Sequence, residues 1–134
     1  MFGNPVFGKA FNFLHLSLNA YKLRQQAISS NIANAEVQGY KKFEVNFEQN
    51  LKKAIKDKGM SLTISDPDHI QSASLNSNSN VIQVRQIPNN YGAGNNVSID
   101  EEMVNLANNQ MNYQIGATTL NKMFNIIRTA IKGR

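Results

Sequence analysis

The feature that most constrains this chain is a pair of apolar repeats, one at each end. Phe11, Leu14, Leu18, Tyr21, Gln25, Ile28, Ile32 and Ala35 follow one another at steps of three and four residues. Met103, Leu106, Gln110, Tyr113, Ala117, Leu120, Phe124, Ile127 and Ile131 do the same. Such spacing keeps each set on one stripe of an α-helix and matches the heptad of a coiled coil. Each stripe carries one polar intrusion, Gln25 or Gln110, of the kind that fixes register at some cost in stability. From Phe11 to Ala35 the first helix would run roughly 37 Å. Helices at opposite ends of a chain pair antiparallel only if the centre folds back. The sequence therefore predicts a mainly α fold. Long N- and C-terminal heptad helices form a coiled-coil-like hairpin, around a shorter helix and an irregular, partly β central segment.

Local signals place the boundaries. Asn4 caps the first helix and Pro5 takes its first position. Gly39 suits its end, because glycine reaches the left-handed region cheaply. Asp100 caps the last helix, with Ile99 and Val104 as a hydrophobic staple. Asp100, Glu101 and Glu102 sit at the positive end of its dipole; Arg128, Lys132 and Arg134 sit at the negative end, and Gly133 closes it. In this division residues 1–39 and 99–134 make one discontinuous helical domain, and 40–98 make the central segment. There, Phe43, Phe47, Leu51 and Ala54 or Ile55 predict a short amphipathic helix closed by Gly59. Residues 61–64 alternate as a short strand would. Residues 72–80 are Ser/Asn-rich and read as a mobile loop. Residues 81–84 are β-prone, and 88–94 are turn-rich.

Each long helix also has apolar residues off its stripe: Phe13, Leu16 and Leu23 in the first, and Val104, Ala107, Ile115, Met123, Ile126 and Ala130 in the last. A two-helix hairpin cannot cover both sets. Two arrangements remain open: an oligomer or filament in which other chains cover the remainder, and a compact bundle with the middle helix as third member. Asparagine occupies 20 positions. It disfavours helix and strand interiors, so the chain has a weak drive to order without partners.

The inventory for chemistry is thin. Cysteine is absent, which excludes disulfides and thiolate metal sites. His15 lies beside the first stripe. His69 stands near Asp66 and Asp68, short of the about four ligands of a structural metal site. No serine sits in G-x-S-x-G, and Gly92-Ala93-Gly94 lacks the Lys and Ser/Thr of a phosphate loop. No catalytic residue, cofactor, metal or small-molecule substrate is expected, and the chain reads as no enzyme. The net charge is +5. Its basic excess lies in residues 1–60, notably Lys52, Lys53, Lys56 and Lys58. That favours, as the alternative function, a small basic helical nucleic-acid-binding protein. Yet no aromatics interleave the lysines, which fit the solvated face opposite Phe47 and Leu51. The chain shows no cleavable secretory signal and no stretch near the ~18 apolar residues of a membrane span.

The segment Ser30-Asn31-Ile32-Ala33-Asn34-Ala35-Glu36-Val37-Gln38-Gly39-Tyr40-Lys41 resembles the N-terminal signature of the flagellar axial proteins. In it Asn31, Ala33, Asn34, Gly39 and Tyr40 match the family motif. Val37-Gln38 replaces the usual Thr-Pro before Gly-Tyr. Asn31 and Asn34 can hydrogen-bond across packed helices or to chain ends; Gly39 turns the backbone and Tyr40 docks. Ser65-Asp66-Pro67-Asp68-His69, the stretch from Asn95 to Met103 and the end from Ala107 to Arg134 are similar to the proximal members of the basal-body rod family. The resemblance implies a structural subunit of the proximal rod, which polymerises through its terminal helices into a tubular drive shaft and export channel. Export through the flagellar type III apparatus without a cleaved signal is implied too, as is a location in the rod within the periplasm. The implied partners are the chain itself, other rod subunits, the rod adaptor protein, the membrane ring protein and that export apparatus. No nucleic acid is among them.

Overall fold

The computed structural model describes residues 5–56, 82–88 and 96–133. The element order is α1 (Pro5–Ala33), β1 (Phe43–Asn46), α2 (Glu48–Lys56), β2 (Gln83–Gln86) and α3 (Ile99–Lys132). The fold is mainly α, and α1 packs along α3. Their partners run in opposite directions. Phe11 meets Phe124 edge to face at 5.6 Å, near the start of α1 and the end of α3. Asn31 meets Glu102 at the other end. The helices are therefore an antiparallel hairpin closed by the whole central segment.

Two expected boundaries shift. α1 ends at Ala33, six residues before Gly39. Asn34 is the cause: its backbone N–H and its Nδ2 both donate to the Ser30 carbonyl, at 3.1 and 2.8 Å. A side chain that competes for an i−4 carbonyl favours a helix end. Four-residue turns follow, closed by bonds from Ala35 to Ile32, Val37 to Asn34 and Tyr40 to Val37, and Gly39 takes φ +77° within them. α3 is capped by Ser98, not Asp100: the Ser98 Oγ accepts from the Glu101 N–H at 3.5 Å. Serine followed three residues later by glutamate is the capping-box pattern. Gly133, at φ +68°, closes α3 with its N–H on the Thr129 carbonyl.

The short helix is a strand and a helix. Phe43–Asn46 pairs antiparallel with Gln83–Gln86, with Val45 opposite Val84. The helix begins only at Glu48. Phe43-Glu44-Val45-Asn46 alternates, and that period of two, completed by a distant partner strand, overrides the three-to-four spacing of Phe43, Phe47 and Leu51. Residues 61–64, the Ser/Asn-rich stretch, most of the turn-rich connection and the Asp66–His69 cluster lie outside the described residues.

The core belongs to α1, β1 and the start of α2. Leu16, Ala20, Val45, Phe47 and Leu51 form it, with Phe13, Tyr21, Leu23, Ala27 and Ile82 packed against them. Phe13, Leu16 and Leu23 are thus covered by the chain's own central segment, as in the arrangement that uses the middle of the chain as a third member. Among the described residues the second face of α3 has no such cover. Of the large apolar side chains exposed among the described residues, ten of twelve lie on α3, so the unpartnered surface is that helix.

Candidate functional site

Where α1 ends, β1 begins and α3 starts, a polar node joins three elements. Asn31 is fully buried. Its Nδ2 donates to the Phe43 carbonyl at 2.9 Å and to Glu102 Oε2 at 2.9 Å. Its Oδ1 accepts from the Phe43 N–H at 2.8 Å and from the Tyr40 hydroxyl at 3.2 Å. Two donors and two lone pairs are the full capacity of an amide. Bonds to both backbone groups of Phe43 fix which way the amide points. Tyr40 gives its single proton to Asn31, so the Ser30 hydroxyl, 3.1 Å away, is the donor to Tyr40.

Asn31 and Arg24 together cover one edge of β1. They stand seven residues apart, two turns along one face of α1. Arg24 places Nε and Nη2 on the Val45 carbonyl at 3.0 and 2.7 Å. It holds the Glu48 carboxylate through two bonds at 2.6 and 2.9 Å, and its guanidinium lies 4.6 Å from the centre of the Phe47 ring. Side chains of α1 thus take the place of a neighbouring strand, leaving β1 poorly placed to recruit one. On the other side Asn96 ties Lys42 to Ile87, accepting from the Lys42 N–H at 3.1 Å and donating to the Ile87 carbonyl at 3.2 Å.

Glu102 is 1% exposed, and a buried carboxylate needs a charge partner. Lys42 supplies it, with Nζ 2.7 Å from Oε1; Glu101 adds a longer contact at 3.7 Å. Burial acts to lower the Lys42 pKa. The hydrogen bond and charge of Glu102, with help from Glu101, outweigh it and hold the pKa above the ordinary 10.5. A raised lysine pKa contributes stability fully present below the unfolded value and lost as pH rises through the folded one. Thermal melts should therefore show falling stability above about pH 10.5, and Lys42→Met should abolish that step. Glu48 shifts the other way. Burial acts to raise its pKa, but the Arg24 bonds hold it below the ordinary value, so its contribution is lost as pH falls through that depressed pKa. A lysine held protonated is a poor general base at neutral pH.

Along the rest of the hairpin, α3 meets α1 through polar and small residues as well as through Phe124. Asn109, 3% exposed, donates through Nδ2 to the Tyr21 carbonyl at 2.9 Å and to Gln25 Oε1 at 3.0 Å. Its Oδ1 has no partner among the described residues, so it specifies register less completely than Asn31 does. A Cβ on Gly116 would lie 3.1 Å from Leu18 Cδ2, which shows how closely the helices approach there. Glu102, Asn109 and Gly116 repeat every seven residues, one position before Met103, Gln110 and Ala117.

The residues picked from the sequence separate accordingly. Ile28 is buried, and Phe11, Leu14, Leu18, Tyr21, Gln25 and Ile32 are half-buried. On α3, Leu106, Ala117 and Leu120 are half-buried; Met103, Gln110, Tyr113, Phe124, Ile127 and Ile131 are exposed. Gln25 is bonded to Asn109, and Gln110 faces away. In the motif, Asn31 is the buried centre of the node, Asn34 bonds to Ser30 of its own helix, Gly39 lies in the turns that follow, the Tyr40 hydroxyl donates to Asn31, and Ala33 is exposed. Arg24, Lys42, Glu102 and Asn109 were not among the residues picked. Only the Asn31 signature, which needs a partner for its second donor, pointed toward them.

A family model described as flagella basal body rod protein matches residues 17–41, which span Arg24, Asn31 and Tyr40. Among curated proteins, the chain is 30% identical over 132 residues to the flagellar basal body rod protein FlgB of Borreliella burgdorferi, covering 94% of this chain and 98% of that protein. It is 29% identical over 128 residues to FlgB of Bacillus subtilis, covering 96% and 97%. It is 29% identical over 130 residues to FlgB of Salmonella typhimurium, covering 92% and 94%.

Proposed function

The chain belongs to the FlgB family of flagellar basal body rod proteins and is a structural subunit of that rod; from this premise we propose that it polymerises through its terminal helices, with α3 as the outward contact surface. Its place is the flagellar basal body, where it assembles with other rod components. The family decides between the two readings of the sequence in favour of the rod subunit over the nucleic-acid-binding protein.

The observation that carries the proposal is the asymmetry of the hairpin. α1 buries its second face against β1 and α2. α3 turns Glu102, Asn109 and Gly116 inward and leaves Val104, Met111, Ile115 and Ile126 between 57% and 61% exposed. Val104, Met111 and Ile115 lie on one face of the uncharged stretch, with Ile126 beyond Lys122 on the same face, and such an exposed apolar row on a helix marks an association surface. Burying each such side chain between subunits contributes about 1.5–3 kcal/mol. In this proposal the subunit occupies the proximal rod within the periplasm and forms part of a tubular drive shaft with a central export channel. It reaches that place through the flagellar type III apparatus without a cleaved signal. It meets other copies of itself, other rod subunits, the rod adaptor protein and the membrane ring protein, and it performs no catalysis. Leu120, one turn beyond Gly116 and half-buried, belongs to the seam. Leu120→Asp should fail to restore flagella to cells lacking this chain. Normal flagella with that change would show the seam to be wrongly placed.

A further inference from the structure

We infer that the outward row of α3 on one copy, led by Val104 and Met111, docks in an apolar groove on a second copy of this chain. This rests on the assembly role proposed above and names the contact. The groove, of about 310 Å³, is lined by Phe13, Leu14 and Tyr21 of α1, by Phe47 and Leu51, and by Ile115 of α3. Ile115 is also the third member of the row. Groove and row are therefore adjacent but distinct patches of one molecule, and joining unlike patches on successive copies is the geometry that builds filaments and rings instead of closed dimers.

Charge selects the occupant. From Met103 to Asn121, 19 residues, α3 holds no charged side chain, and interface centres are depleted in charge. Nucleic acid or an anionic surface finds nothing to neutralise there. The charges of α3 are gathered at its ends, with Asp100 one turn before Val104 on the same side. The groove's rim carries the opposite sign. Glu48 is neutralised by Arg24, while Lys52 and Lys53 of α2 stand exposed. When Val104 and Met111 of one copy enter the groove of the next, Asp100 approaches Lys52, which lines the groove. Glu101 and Glu102 are engaged by Lys42 of their own copy, so Asp100 is the acid left to complement Lys52 of the next.

The chain has no cysteine, so introduced thiols report contacts without background. Two copies, one Leu14→Cys and one Met111→Cys, are co-expressed in flagellated cells, and isolated basal bodies are treated with a short bismaleimide. Mass spectrometry of the same sample confirms that both copies are incorporated; Lys52→Cys on the groove's rim replaces Leu14→Cys if the latter is not. A mixed covalent dimer is expected with both copies present and not with either alone. Asp100→Lys should lower its yield about two- to five-fold, the range of exposed ion pairs, and Lys52→Glu with Lys53→Glu in the second copy should restore it. Two incorporated copies without a mixed dimer, or dimers joined mainly through Met111 on both chains, would overturn this docking and leave the rod role intact. Absence of the unaltered chain from basal bodies would instead remove the rod role itself.

Discussion

Asn31→Leu should be the most damaging single substitution in this chain. The leucine fills similar space but strands the Phe43 N–H, the Phe43 carbonyl and one oxygen of Glu102, all now bonded to the amide. Each buried polar group left without a partner costs about 1–3 kcal/mol. The total, roughly 3–9 kcal/mol, is comparable with the whole stability of a small domain, about 5–15 kcal/mol. Denaturant unfolding of the purified chain should show that loss, and its Tm should fall by roughly 15 °C. Asn31→Asp is the sharper control. It keeps the shape and the two acceptor contacts but places a carboxylate against the Phe43 carbonyl and Glu102. It should destabilise at neutral pH about as much as leucine. Asn34→Ala removes one bond to the Ser30 carbonyl and should cost under about 1 kcal/mol. Equal effects of Asn31→Leu and Asn34→Ala would mean that the node does not organise the fold.

The sequence showed the helices well and their contact poorly. Repeats of apolar residues reveal a helix and its ends, and they found α1 and α3 to within a few residues. The phase of α3 is another matter. Its inward side is Glu102, Asn109 and Gly116, an acid, an amide and a residue without a side chain. Hydrophobic spacing gives those positions no weight. Glu102 was read as a dipole residue, which it is by position, and nothing local signals that Lys42, sixty residues earlier, neutralises it. Likewise Phe43 reads as helix until β2 is known, because a strand's partner is not visible in its own residues. The signature around Asn31 is legible for a different reason: its residues resemble a family motif, and burial of an asparagine there demands the partners the structure supplies.

Ile126→Asp should have the second large effect, and on assembly instead of folding. Ile126 is 57% exposed on the outward side of α3, so the purified chain should unfold as the parent does. Within the rod, each copy would lose the burial of an isoleucine, about 1.5–3 kcal/mol, and would bring a carboxylate into an apolar contact, a cost that Lys122 one turn earlier offsets by only about 0.2–0.5 kcal/mol. The most direct measurement is quantitative mass spectrometry of basal bodies purified from cells that make the parent chain and the Ile126→Asp chain in equal amounts. The account predicts the parent at a level comparable with other rod subunits and the variant at least about ten-fold below it, since ~1.4 kcal/mol is a factor of ten. Equal incorporation of the two chains would contradict it, because the exposed row of α3 would then not be the surface by which this subunit joins the rod.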